Sequence, residues 1–94
     1  MLNVNDLRRA SWRRRSAAQR YEGYVTVTDD VVRLTGREDA TGIDASLSIP
    51  LAAIRDVWST GAGDLVLDVA DGVPILLRPS GGTRELQRLE RLLA

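Results

Sequence analysis

Apolar and polar residues alternate with a period of two over much of the chain, and turn-forming residues close each alternating run. The first run, Tyr24-Val25-Thr26-Val27-Thr28, is rich in β-branched and aromatic side chains, which suit a pleated surface. Asp29-Asp30 is a turn, and Val31-Val32-Arg33-Leu34-Thr35 is the return strand, closed by Gly36, so the two form a hairpin. A polar loop follows over residues 37–42. Ala45, Leu47, Ile49 and Leu51 then alternate with Ser46, Ser48 and Pro50, and Pro50, which has no N–H for a ladder, ends the pairing or sits at an edge. Residues 54–58 read as a fourth strand. Leu65, Leu67 and Val69 mark a fifth after the turn Gly61-Ala62-Gly63-Asp64. Asp71-Gly72 is a hairpin dipeptide, since both central positions of such a turn need positive φ, and residues 73–78 return as a sixth strand. Pro79-Ser80-Gly81-Gly82 breaks the sheet.

Two segments change period. Residues 83–93 predict a helix capped by Ser80 or Thr83. Its Leu86, Leu89, Leu92 and Leu93 fall within about 120° of one another, a stripe wide enough to dock on a sheet. Residues 5–20 lack Gly and Pro and hold many helix formers, so they predict a second helix, capped by Asn3 or Asn5. Its apolar stripe (Val4, Leu7, Ala10, Ala17) is thin, and the expectation is an arm outside the barrel that contacts something beyond its own core. The predicted core is Val25, Val27, Leu47, Ile49, Ile54, Leu65, Leu67, Ile75, Leu77, Leu86 and Leu89.

The chain has 94 residues, enough for one domain. It holds no cysteine and no histidine, which excludes zinc sites and Ser-His or Cys-His nucleophile systems. No cofactor and no metal are expected. No apolar run approaches the ~20 residues of a membrane helix, and the charged N-terminal residues are not followed by the apolar segment of a secretory signal. The expected location is cytoplasmic, free or peripheral to a membrane. Net charge is zero, but it is unevenly spread. Residues 1–20 carry six arginines against Asp6, hence +5, and the remainder carries seven arginines against twelve acids, hence −5. A basic arm on an acidic body calls for an anionic partner, or for the body of the same or a second copy.

Two β-hairpin units followed by one amphipathic C-terminal helix resemble a bacterial pleckstrin-homology-like (PH-like) or GRAM-like domain. The phrases GYVTVTDDVVRLTG, LSIPLAAIRDV, LVLDVADGVPILLRP and RELQRLERLLA carry the likeness over residues 21–94. The resemblance implies a mainly β fold: a small barrel, or two packed antiparallel sheets of six to seven strands, capped by the C-terminal helix. The basic helix of residues 1–20 is an addition to it. Six strands are read where that family has seven, so residues 37–44 hide a short strand or the barrel is a different one. The resemblance also implies lipid-headgroup binding or protein docking. Headgroup contacts in such domains come from basic residues between the first two strands. On this reading that loop is Asp29-Asp30, whose carboxylates repel phosphate.

The expected function is therefore a non-enzymatic module for protein–protein interaction or self-association, with a homo-oligomer as the outcome. The alternative is a peripheral binder of anionic lipid through the arm, with nucleic acid the lesser anionic partner. The candidate contact residues are Arg8, Arg9, Trp12, Arg13, Arg14, Arg15 and Arg20. Arginine pairs bidentately with phosphate oxygens, and tryptophan anchors interfaces. The bland readings are that the arginines are a solvated face paired with the acidic body, that Trp12 packs the arm onto the barrel, and that Trp58 is core. The acid pairs Asp29-Asp30 and Glu38-Asp39 read as turn residues, favoured there for their backbone hydrogen bonds.

Overall fold

The computed structural model describes residues 7–70 and 72–93. Its strands are β1 (Arg8–Arg14), β2 (Tyr21–Val27), β3 (Val31–Glu38), β4 (Asp44–Pro50), β5 (Ile54–Ser59), β6 (Leu65–Val69) and β7 (Ile75–Pro79). A 3-10 turn, Leu51–Ala53, joins β4 to β5, and α1 (Gly82–Leu93) follows β7. The seven strands make one antiparallel sheet in the order β4-β3-β2-β1-β7-β6-β5. The sheet curls into a half-barrel with β4 and β5 as its free edges, and α1 closes on β5 and β7. The architecture is mainly β, a curled half-barrel sheet with one C-terminal helix, consistent with a small β barrel capped by that helix.

Among the described residues the expected N-terminal helix is not formed; its expected caps, Asn3 and Asn5, and Val4 lie outside the described residues. Residues 8–14 are instead the middle strand of the sheet, paired with β2 on one side and β7 on the other. This strand is the seventh that the count of six lacked, and in the sheet it lies between the β2–β4 and β5–β7 wings. Helix propensity is a weak local preference that tertiary packing overrides. Here the packing is specific. Ala10 and Trp12 alternate inward and are 4% and 2% exposed, whereas Arg9 points out. The Trp12 ring stacks on Tyr21, its register partner, with centroids 4.4 Å apart and planes 17° apart. Its Nε1 donates to the Thr35 carbonyl at 3.1 Å.

Small residues make room for that indole. Across β1 to β4, Ala10, Gly23, Gly36 and Ala45 stand in one row. A Cβ on Gly23 would strike the Thr35 carbonyl oxygen, and one on Gly36 would lie 3.2 Å from Trp12 Nε1. The glycines are thus placed by close backbone approach rather than by φ.

Most of the predicted core is buried: Val25, Ile49, Leu65, Leu67, Ile75, Leu77, Leu86 and Leu89. Val27, Leu47 and Ile54 are half-buried against it. Trp58 departs from expectation and is 38% exposed. Its strand carries a register shift between Ile54 and Asp56. A bulge of one residue moves every later side chain to the opposite face. Val57 therefore enters the core and Trp58 faces outward.

Candidate anion-binding surface

With β1 in place, the loop between the first two strands is residues 15–20, not Asp29-Asp30. The latter turn joins β2 to β3, where Thr28 Oγ1 bridges the Asp30 carboxylate at 3.1 Å and accepts from the Val31 N–H at 3.2 Å. The expected repulsion of phosphate at the first loop therefore has no basis, because that loop contains Arg15 and Arg20 and follows Arg13 and Arg14.

The loop is tied down by its backbone. The Ala17 N–H donates to the Arg14 carbonyl at 3.0 Å, and the Arg15 N–H donates to Pro74 at 2.8 Å, which joins the loop to the β6–β7 hairpin. The Arg20 carbonyl accepts from Asp39 at 3.0 Å. Arg13 Nη1 donates to the carbonyls of Arg15 and Ala17 at 3.3 and 3.5 Å, so this guanidinium braces the turn while keeping its charge unneutralised by any carboxylate among the described residues.

Apart from Arg13, the candidate residues separate into three groups. Trp12 is core and unavailable to a partner. Arg8 is engaged: its Nε lies 3.5 Å from Glu85 Oε1 in an ion pair that makes no hydrogen bond, and the pair joins β1 to α1. Arg9, Arg14, Arg15 and Arg20 are exposed, and among the described residues none makes an ion pair. By contrast Arg37, Arg55 and Arg78 are each matched to an aspartate. The closest pairing is that of Arg78, whose Nε and Nη2 reach the two Asp64 oxygens at 2.9 and 3.1 Å.

Alternation along β1 sends successive arginines to opposite faces. Arg13 faces outward, where it lines a small cavity of about 130 Å³ with Ser11, Arg20, Asp64, Leu76 and Arg78. Since Asp64 is taken by Arg78, Arg13 and Arg20 leave this cavity net positive. Arg14 faces inward at the mouth of the half-barrel and borders a second cleft, of about 190 Å³, with Leu47, Ile49, Val69, Val73 and Ile75. Val73, beside the Pro74 that holds Arg15, is 41% exposed. The loop end thus combines a collar of unpaired arginines with an exposed apolar residue on the neighbouring hairpin.

Sequence reasoning found these arginines from charge alone. It missed Val73 and the cleft, because both depend on which hairpin lies beside the loop. It also missed an outward row formed by Trp58, Val66 and Leu76 on adjacent strands, in which Val66 is only 3% exposed although it faces away from the main core.

Among the described residues no group of three or more His, Cys, Asp or Glu side chains could hold a metal ion, and no helix is long and apolar enough to cross a membrane. No protein family, curated protein or solved structure matches this chain.

Proposed function

We propose that this chain is a non-enzymatic binding module that docks on anionic lipid surfaces through the loop of residues 15–20. The observation that carries the reading is the set Arg14, Arg15 and Arg20, exposed and without carboxylate partners among the described residues, beside exposed Val73. Arginines near an anionic leaflet contribute about 1 kcal/mol each. An apolar side chain at the same end gains by entering the interfacial region. The strand order β4-β3-β2-β1-β7-β6-β5 with a closing helix supports the PH-like resemblance. Within that resemblance the basic loop between the first two strands is where headgroup contacts are made. Lipid is favoured over nucleic acid because no exposed aromatic ring stands at the loop to stack a base: Trp12 is buried and Tyr21 is stacked on it.

The test is sedimentation with phosphatidylcholine vesicles, with and without phosphatidylserine. Removing two arginines in R15Q/R20Q should weaken binding to the anionic vesicles roughly thirtyfold, from about 2 kcal/mol of lost attraction. Equal binding to neutral and anionic vesicles would refute the reading. Tighter binding to duplex DNA than to anionic vesicles would put nucleic acid in its place.

A second reading, self-association, is favoured by the outward row Trp58-Val66-Leu76. Tryptophan on an edge strand over a buried valine is the composition of an interface anchor. Exchange of helical arms between copies is not the route, because residues 8–14 are the middle strand of their own sheet. Light scattering over a concentration series tests it: W58A should lower the apparent mass if the row assembles copies, and a strictly monomeric parent would end this reading.

A further inference from the structure

The 190 Å³ cleft at the mouth of the half-barrel has a chemistry of its own. Its walls are mainly aliphatic, with Leu47 and Ile49 from β4, Val69 and Ile75 from β6 and β7, and Val73 from the hairpin between them; Ser48, Pro50 and Gly72 complete the lining. It lies where the sheet is open, since β4 is a free edge that pairs with β3 alone. One charged side chain stands on its lining, Arg14, which is exposed and among the described residues has neither an ion pair nor a hydrogen bond through its guanidinium. Ile49 and Ile75, 4% and 3% exposed, form the floor.

We propose that this cleft binds a single-chain anionic amphiphile from solution, an alkyl chain ending in a carboxylate. The head is held by Arg14 and the tail lies between β4 and the β6–β7 hairpin. The charge complementarity is one-sided: a lone cation at the rim of an apolar slot accepts an anion with an apolar body and leaves both parts satisfied. Neither half of such a ligand suffices alone. The size sets the chain length. At about 30 Å³ per water-sized or methylene-sized group, the volume accommodates roughly six such groups. The cleft shares Arg14 and Val73 with the loop-end surface but takes a different ligand. Arg15 and Arg20 are not on its lining, and the ligand enters as a monomer without a membrane.

Octanoate below its micellar concentration is the probe, titrated into the ¹⁵N-labelled full-length chain and followed by NMR. Saturable shifts are expected at the amides of Leu47, Ile49, Val69 and Ile75. Octanol, which has the tail without the charge, should bind about tenfold more weakly, and acetate should leave these amides unmoved. Arg14→Gln, an exposed substitution that removes the guanidinium and its charge, should weaken octanoate about tenfold, while Arg15→Gln leaves it unchanged. Equal binding of octanol and octanoate, or equal effects of R14Q and R15Q, would overturn the proposal. So would shifts confined to residues outside the cleft. The vesicle experiment uses R15Q/R20Q and this one uses R14Q, so either idea can fail without the other.

Discussion

Replacing Trp12 with alanine tests the reading of residues 8–14 as a core strand more sharply than any other change. Were these residues a surface helix, the substitution would cost little, because surface changes stay within about 0.5 kcal/mol. In the half-barrel Trp12 is 2% exposed, stacks on Tyr21 at 4.4 Å, lies against Gly36 and donates to the Thr35 carbonyl. Truncating a buried tryptophan costs about 3–5 kcal/mol. The total available to a domain of this size is about 5–15 kcal/mol. At about 4 °C or more per kcal/mol, the melting temperature should fall by at least about 12 °C. Trp58→Ala provides the contrast, since that ring is 38% exposed on an edge strand and should cost no more than about 1.5 kcal/mol. Trp12→Phe isolates the indole N–H and should lose about 1–2 kcal/mol through the unpaired carbonyl. Thermal and urea unfolding followed by circular dichroism give the values. If W12A melts within two or so degrees of the parent, or if W58A costs more than W12A, the placement of β1 is wrong.

Other outcomes follow from the same geometry. Gly23→Ala should destabilise by about 1–3 kcal/mol in urea unfolding, because its Cβ meets the Thr35 backbone, whereas Gly42→Ser, in open space, should cost only the modest strain of its φ of 72°. Leu67→Ala should cost about 2–5 kcal/mol on thermal unfolding, and a change within a degree of the parent would refute the strand assignment of β6. Glu85→Ala removes the carboxylate shared by Arg8 and Arg88 and should lower stability by about 1 kcal/mol in urea, a modest figure because Arg8 is substantially exposed. Vesicle binding should weaken steeply as salt rises from low to physiological strength, where the screening length falls to about 8 Å.

Most of the sheet after Tyr21 was legible because its strands, β5 apart, carry either clean alternation or an apolar run between turn residues. The Leu stripe of α1 was legible for the same reason at a different period. β1 was not. It has only two inward apolar residues, Ala10 and Trp12, and its arginines and alanines are good helix formers, so local preference pointed away from the fold. What fixes the strand is distant: Tyr21 on β2 that stacks on the indole, and Thr35 and Gly36 on β3 that accept its N–H and leave it space. The thin stripe of the supposed helix was the available warning. Trp58 was misplaced by the bulge at Ile54/Asp56, which no residue pattern announces. The arginines of the candidate surface were visible as charge. Which of them are consumed by ion pairs, as Arg8 is, and which stand free could be read only once α1 and the β6–β7 hairpin were positioned. Misreading β1 also misnamed the first loop, and with it the electrostatic argument about phosphate.

The most direct test of docking on anionic lipid is paramagnetic broadening of the labelled chain by phosphatidylserine vesicles carrying a headgroup nitroxide. Docking through residues 15–20 predicts that the amides of that loop and of Val73 broaden first, and that those of β5, including Trp58, stay sharp. Broadening centred on β5, or spread evenly over the surface, would contradict it.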